Sequence, residues 1–168
     1  MTKTANYKIT PNFSLYEFVE GKALPKKAIE LNWQHWNSTY YQNMIEVLNE
    51  AEKIRTWVNN EFSSIDGKPI SVIINCGYRA KAWDLLQKRS GNSQHQFGNA
   101  IDITFGNVTK EVNIEIIKAV YDFYNNSKWM GGLAIKKSTG GAIGFVHIDI
   151  RTPEPHHIQR SYGARWEY

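Results

Sequence analysis

The chain has 168 residues, 42% apolar and 21% charged, a composition that supports one domain with its own core and excludes intrinsic disorder. The single cysteine, Cys76, excludes an internal disulfide and a closed all-thiolate metal site. A formal charge of +4 without any long Lys/Arg run suits approach to an anionic partner but gives little support to a nucleic-acid binder, and no apolar run reaches membrane-spanning length.

Residues 1–12 read as a polar lead-in without the apolar segment of a secretory leader, so synthesis in the cytosol without a signal peptide is expected. Phe13, Leu15, Phe18 and Val19 then form a short apolar cluster, and Ser14 followed by Glu17 has capping-box spacing, which predicts a short helix over 14–19. Residues 21–37 lack a sustained period and read as a loop with one helical turn, with His35 structural. From 40 to 59, Met44, Ile45, Val47, Leu48, Ala51, Ile54, Trp57 and Val58 recur at intervals of three and four, predicting a long amphipathic helix. Asp66-Gly67-Lys68-Pro69 is a turn. The β-branched stretch 70–75 predicts a buried strand that delivers Gly77-Tyr78-Arg79 to its end. Cys76 reads as a buried small residue, and 80–89 as a short helix.

Residues 100–105 predict a strand with Asp102 on the face opposite Ile101 and Ile103. A second amphipathic helix is expected over 109–124, with Val112, Ile116, Ala119, Val120 and Phe123 on its buried face. Segments 129–135 and 144–150 read as paired strands joined by Ser138-Thr139-Gly140-Gly141. On the second of them Phe145, His147 and Asp149 share one face, and Val146, Ile148 and Ile150 the core face. Residues 153–157 read as irregular. The fold expected from this order is α+β, a small central antiparallel sheet with helices packed on it, in a single domain spanning 1–168.

The segment 93–102 reads Ser-Gln-His-Gln-Phe-Gly-Asn-Ala-Ile-Asp, and Phe145-Val146-His147-Ile148-Asp149 follows further on. A turn at Phe97-Gly98-Asn99 lets a loop ligand, His95, and a strand ligand, Asp102, converge, with His147 as a third arm. Two imidazoles and a carboxylate suit a zinc ion that keeps one position for water. A carboxylate between Ile101 and Ile103 also needs a reason to be buried, and a cation supplies one. Gly98 and Ala100 suit a close backbone approach.

Ser93-x-His95-x-x-Gly98-x-Ala100-x-Asp102, preceded by Gly77-Tyr78-Arg79 and followed by Val146-His147-Ile148-Asp149, resembles the zinc D-Ala-D-Ala carboxypeptidase and L,D-endopeptidase family, whose fold is shared with the Hedgehog signalling domain. The likeness extends more weakly to Asn12-Phe13-Ser14-Leu15-x-Glu17-Phe18 and to Ala164-Arg165-Trp166. It implies a zinc metallopeptidase that hydrolyses bonds in peptidoglycan stem peptides or cross-links, with zinc on His95, Asp102 and His147. It also implies Arg79 as a catalytic and substrate-contacting residue, at an oxyanion or a substrate carboxylate, and it points to Ser93 and Tyr78 as further substrate contacts. Arg79 has the alternative of pairing with a structural acid, and Ser93 that of holding the loop. Several relatives carry an acid three residues before the last His. Here that position is Gly144, so Asp149 is the candidate general base, with orientation of His147 or pairing with Arg151 or Arg165 as its alternatives, and Glu154 and His157 in reserve. A wall peptidase without a leader is similar to bacteriophage endolysins and virion-associated lysins, whose partners include other virion proteins. The competing expectation is a virion structural or wall-binding module that keeps the fold without cleavage.

Overall fold

The computed structural model describes residues 7–137, 143–150 and 165–167. Among the described residues five α-helices and five strands follow in the order α1 (Leu15–Glu20), α2 (Lys26–His35), α3 (Tyr41–Glu61), β1 (Ser71–Cys76), α4 (Lys81–Leu86), β2 (Ala100–Gly106), α5 (Lys110–Asn126), β3 (Gly132–Lys137), β4 (Ile143–Asp149) and β5 (Arg165–Glu167). The strands are ordered β1-β2-β4-β3-β5. The fold is α+β, with a four-stranded antiparallel sheet. The short β5 adds to it in parallel, with Leu133 opposite Arg165.

Backbone contacts cluster into two compact units, Met1–Glu52 with Ile74–Ile101, and Lys53–Ile73 with Asp102–Tyr168. In the first, α1 starts on the expected capping box: Ser14 Oγ accepts from Glu17 N at 3.2 Å, and Glu17 Oε2 accepts from Ser14 N at 2.8 Å. Its core is Phe13, Phe18, Val19, Ala28, Met44, Val47, Leu48 and Ala51, all essentially solvent-free. The stretch expected as a loop with one turn forms the ten-residue helix α2. Only Ala28 and Asn32 of α2 are buried, so most of its surface faces solvent and its apolar periodicity is too thin to announce a helix.

Asn32 explains why α2 is nevertheless fixed. Its Nδ2 donates to Val19 O at 2.8 Å and Tyr78 O at 2.7 Å, and its Oδ1 accepts from Ala80 N at 2.8 Å. A buried amide used at three points ties the helix to the segment on either side of Arg79.

In the second unit β3 and β4 pair antiparallel, with Gly132 opposite Asp149 and Ala134 opposite His147. Helix α5 packs on both strands, and Thr109 caps it by accepting from Val112 N. It buries Ile116, Ile117, Val120 and Tyr124. Phe123, expected inside, is 51% exposed; it packs beside Trp57 at a ring separation of 5.3 Å. The expected linker 138–141 and the segment 153–157 lie outside the described residues.

Candidate functional site

In the first unit β1 ends at Cys76 and hands the chain to Gly77, Tyr78 and Arg79. Ser93 then opens a 3-10 turn, Gln94–Phe97, by accepting from His95 N. Arg79 N donates to His95 O at 3.2 Å, so the two segments are laced together through the backbone. The turn ends at Gly98 with φ +69°, and a Cβ there would stand 3.1 Å from Tyr40 O. The glycine thus meets a left-handed backbone and a close approach at once.

His95 is buried, and its Nδ1 lies 2.7 Å from Gly77 O. A carbonyl only accepts, so Nδ1 carries the proton and the ring's lone pair sits on Nε2, the arrangement of an oriented metal-binding imidazole. Cys76 Sγ lies 3.7 Å from the same Nδ1 and 3.9 Å from Arg79 Nη1.

Arg79 is held from several sides. Its Nε lies 2.8 Å from Asp84 Oδ1 and its Nη2 3.5 Å from Asp84 Oδ2, while Nη2 also donates to Ser93 Oγ at 3.0 Å. Tyr78 is buried, its hydroxyl donating to His35 O at 3.0 Å and its ring packed edge-on to Trp36 and stacked on Tyr40. Burial, with the neighbouring Tyr40 phenol second, pushes the Tyr78 phenol up to about 12.

In the second unit Asp102 sits on β2, and His147 and Asp149 sit two residues apart on β4. Asp102, His147 and Asp149 are 7%, 5% and 0% exposed. His147 Nδ1 lies 2.7 Å from Asp102 Oδ1, and its Nε2 lies 3.2 Å from Asp149 Oδ2. The other Asp149 oxygen accepts from Gly132 N at 2.8 Å. The preceding Gly131 has no room for a side chain, since a Cβ there would collide with the Asp149 carbonyl. Arg165 donates to Asn125 Oδ1 and to the carbonyls of Gly131 and Trp129. Glu154, His156, His157 and Arg151 lie outside the described residues.

Each nitrogen of His147 faces a carboxylate. A neutral imidazole carries one ring proton, so it donates to one of the two carboxylates, Asp102 at 2.7 Å or Asp149 at 3.2 Å, and not to both.

Cys76 and His95 are buried in the first unit, and Asp102 and His147 in the second. Within the second unit the structure brings Asp102 and His147 into direct contact. Sulfur, imidazole nitrogen and carboxylate oxygen are all zinc ligands, so the donor chemistry fits the ion that the motif implies.

Three residues were not singled out from the sequence as parts of this arrangement: Cys76, Asp84 and Asn32. Cys76 had a signal, its place directly before Gly77-Tyr78-Arg79. Asp84 and Asn32 had none, because a buried polar residue in a short helix reads like a solvent-facing one. No protein-family model, curated protein or solved structure matches this chain. Among the described residues no helix is long and apolar enough to cross a membrane.

Proposed function

We propose that this protein is a zinc-dependent peptidase that hydrolyses peptide bonds in bacterial peptidoglycan, in stem peptides or cross-links. The observation that carries this reading is the Asp102–His147–Asp149 array: two buried carboxylates beside one imidazole, a setting suited to a divalent cation. The motif shared with the zinc peptidases, and the tautomer imposed on His95 by Gly77 O, support it.

His95, Asp102 and His147 would hold the ion, through His95 Nε2, the Asp102 carboxylate and His147 Nδ1. When bound, zinc supplies Lewis-acid polarisation of a carbonyl and acidification of a water molecule. Arg79 places a fixed positive charge for the negative charge that develops on the scissile carbonyl oxygen. Asp149 has both oxygens engaged, by Gly132 N and His147 Nε2, which favours its role as the residue that orients His147 over that of general base. Ser93, accepting from both Arg79 and His95 N, holds the loop. Wall hydrolysis of this kind suits an endolysin or virion-associated lysin of a bacteriophage.

A second reading, a wall-binding or virion structural module without cleavage, is favoured by one feature, Gly144 at the position where relatives carry an acid. Zinc content by elemental analysis, turbidity loss of purified walls and mass spectrometry of the released fragments test the two together. The peptidase reading expects about one zinc per chain and new peptide termini, both abolished by His147→Ala. Bound zinc with intact walls would establish the binding module instead.

A further inference from the structure

Helix α4 and the residues after it form a short exposed knob within the first unit. Leu85 and Leu86, adjacent in the chain, are 55% and 60% exposed, and Lys81, Lys88 and Arg89 around them are exposed as well. Between Gly77 and Asn99 the one acid is Asp84. It is buried and lies 3.3 Å from Arg89 Nη1, so no carboxylate of this segment faces solvent. Helix α2, packed against α4, adds Lys26 and Lys27 against one acid, Glu30, which pairs with Lys27 at 3.8 Å. A Cβ on Gly91 would meet the stem of Lys81 at 3.3 Å and Leu85 Cδ2 at 3.4 Å, which sets that stem beside the first leucine.

The backbone at the end of α4 marks Lys88 out. Arg89 N donates to Asp84 O at 2.9 Å and Lys88 N to Leu85 O at 3.0 Å, the paired bonds of a Schellman cap with Lys88 at its left-handed position, φ +55°. Glycine takes that position without a Cβ penalty. A lysine there strains the turn, and what it adds is a charge at the tip.

We propose that this knob, residues 81–89, docks on an anionic lipid surface, with Leu85 and Leu86 entering the acyl boundary and Lys81, Lys88 and Arg89 meeting the headgroups. Exposed leucine gains only from a partner with apolar volume, and exposed lysine only from one with negative charge. A soluble polyanion offers the second alone; an anionic bilayer offers both within one layer. Lipid docking of this kind does not depend on peptidase activity.

Partition of the full chain is measured by sedimentation with vesicles of phosphatidylglycerol and phosphatidylcholine in equal parts, against pure phosphatidylcholine vesicles and soluble poly(glycerol phosphate). Binding to the anionic vesicles well above both controls is expected, weakened about tenfold by Leu86→Ser and about fivefold by Lys81→Gln. Lys88→Gly separates binding from folding: vesicle binding falls about fivefold, while the urea midpoint rises because glycine relieves the left-handed strain. A fluorescent nitrobenzoxadiazole label on Leu86→Cys should brighten and shift to the blue on anionic vesicles. No binding to the anionic vesicles, or equal binding to pure phosphatidylcholine, would overturn the proposal. So would binding to poly(glycerol phosphate) that matches the vesicles and ignores Leu86→Ser, which would make the knob a polyanion site. Vesicle binding that none of the three substitutions weakens, or an unchanged label spectrum, would put the contact on another face and overturn it as well.

Discussion

The surroundings of His95 and of His147 solve the same problem by different means. His95 gives its ring proton to a neutral backbone carbonyl, Gly77 O at 2.7 Å, in a segment whose neighbours are themselves held by the backbone and by the Asn32 amide. The His147 ring meets charged side chains, Asp102 on one nitrogen and Asp149 on the other. The difference teaches that the two imidazoles respond to different insults. Around His95, geometry is an outcome of folding, so damage there is expected to appear as lost stability. Around His147, geometry is an outcome of charge balance, so damage is expected to appear first as lost affinity for a cation.

The largest effect is expected on the backbone-held side. Asn32→Leu leaves Val19 O, Tyr78 O and Ala80 N without their amide partner, and three buried groups left unsatisfied cost about 3 kcal/mol or more. Urea denaturation should show this as a lower midpoint at unchanged slope. A loss below about 1 kcal/mol would mean that water replaces the amide and that the His95 side is not backbone-clamped in the sense argued. On the carboxylate side, Asp149→Ala is expected to leave the denaturation midpoint closer to that of the parent while weakening zinc binding about 10- to 100-fold, by chelator competition. Equal stability losses for the two variants would erase the contrast.

How far this contrast was legible in the sequence follows the same division. The buried polar residues of the strands were conspicuous: Asp102 between Ile101 and Ile103, and His147 and Asp149 at a spacing of two, stand out against strand periodicity. Helix α3, α5 and the Ser14–Glu17 cap were equally readable, since apolar spacing and a local side-chain bond are both short-range signals. Asn32 and Asp84 were not, because their meaning lies in partners that are 48 and five residues away respectively, Ala80 N and Arg79, and no local pattern distinguishes them from surface residues. Phe123 failed for a related reason: the helical wheel placed it inside, while Tyr124, one position on, took the buried place and left Phe123 to a ring contact with Trp57.

A smaller effect is expected at the turn between His95 and Asp102. Gly98→Ala forces a Cβ into a backbone with φ +69° and to 3.1 Å from Tyr40 O, a strain of about 1–2 kcal/mol. Because the turn leads directly from one donor to the next, thermal unfolding and zinc competition should move together here, unlike at Asn32 or Asp149. A change in only one of them would place Gly98 wholly on one side of the comparison.

The smallest effect at neutral pH belongs to Tyr78, the residue beside Arg79. Its phenol is pushed from 10.0 up to about 12, by burial first and by Tyr40 second. The folded-state value is the raised one, so the stabilisation is fully present below pH 10, where both states hold the proton. It is lost as pH rises from the ordinary tyrosine value toward about 12, because the unfolded chain releases the proton first. Stability measured by denaturant should therefore be insensitive to Tyr78→Phe between pH 6 and 9 apart from a constant offset for the lost hydrogen bond to His35 O. Above pH 10 the parent should fall more steeply than the variant. Parallel curves through that range would mean that Tyr78 ionises like an exposed phenol, and that the backbone-held side is more open to solvent than its buried tyrosine implies.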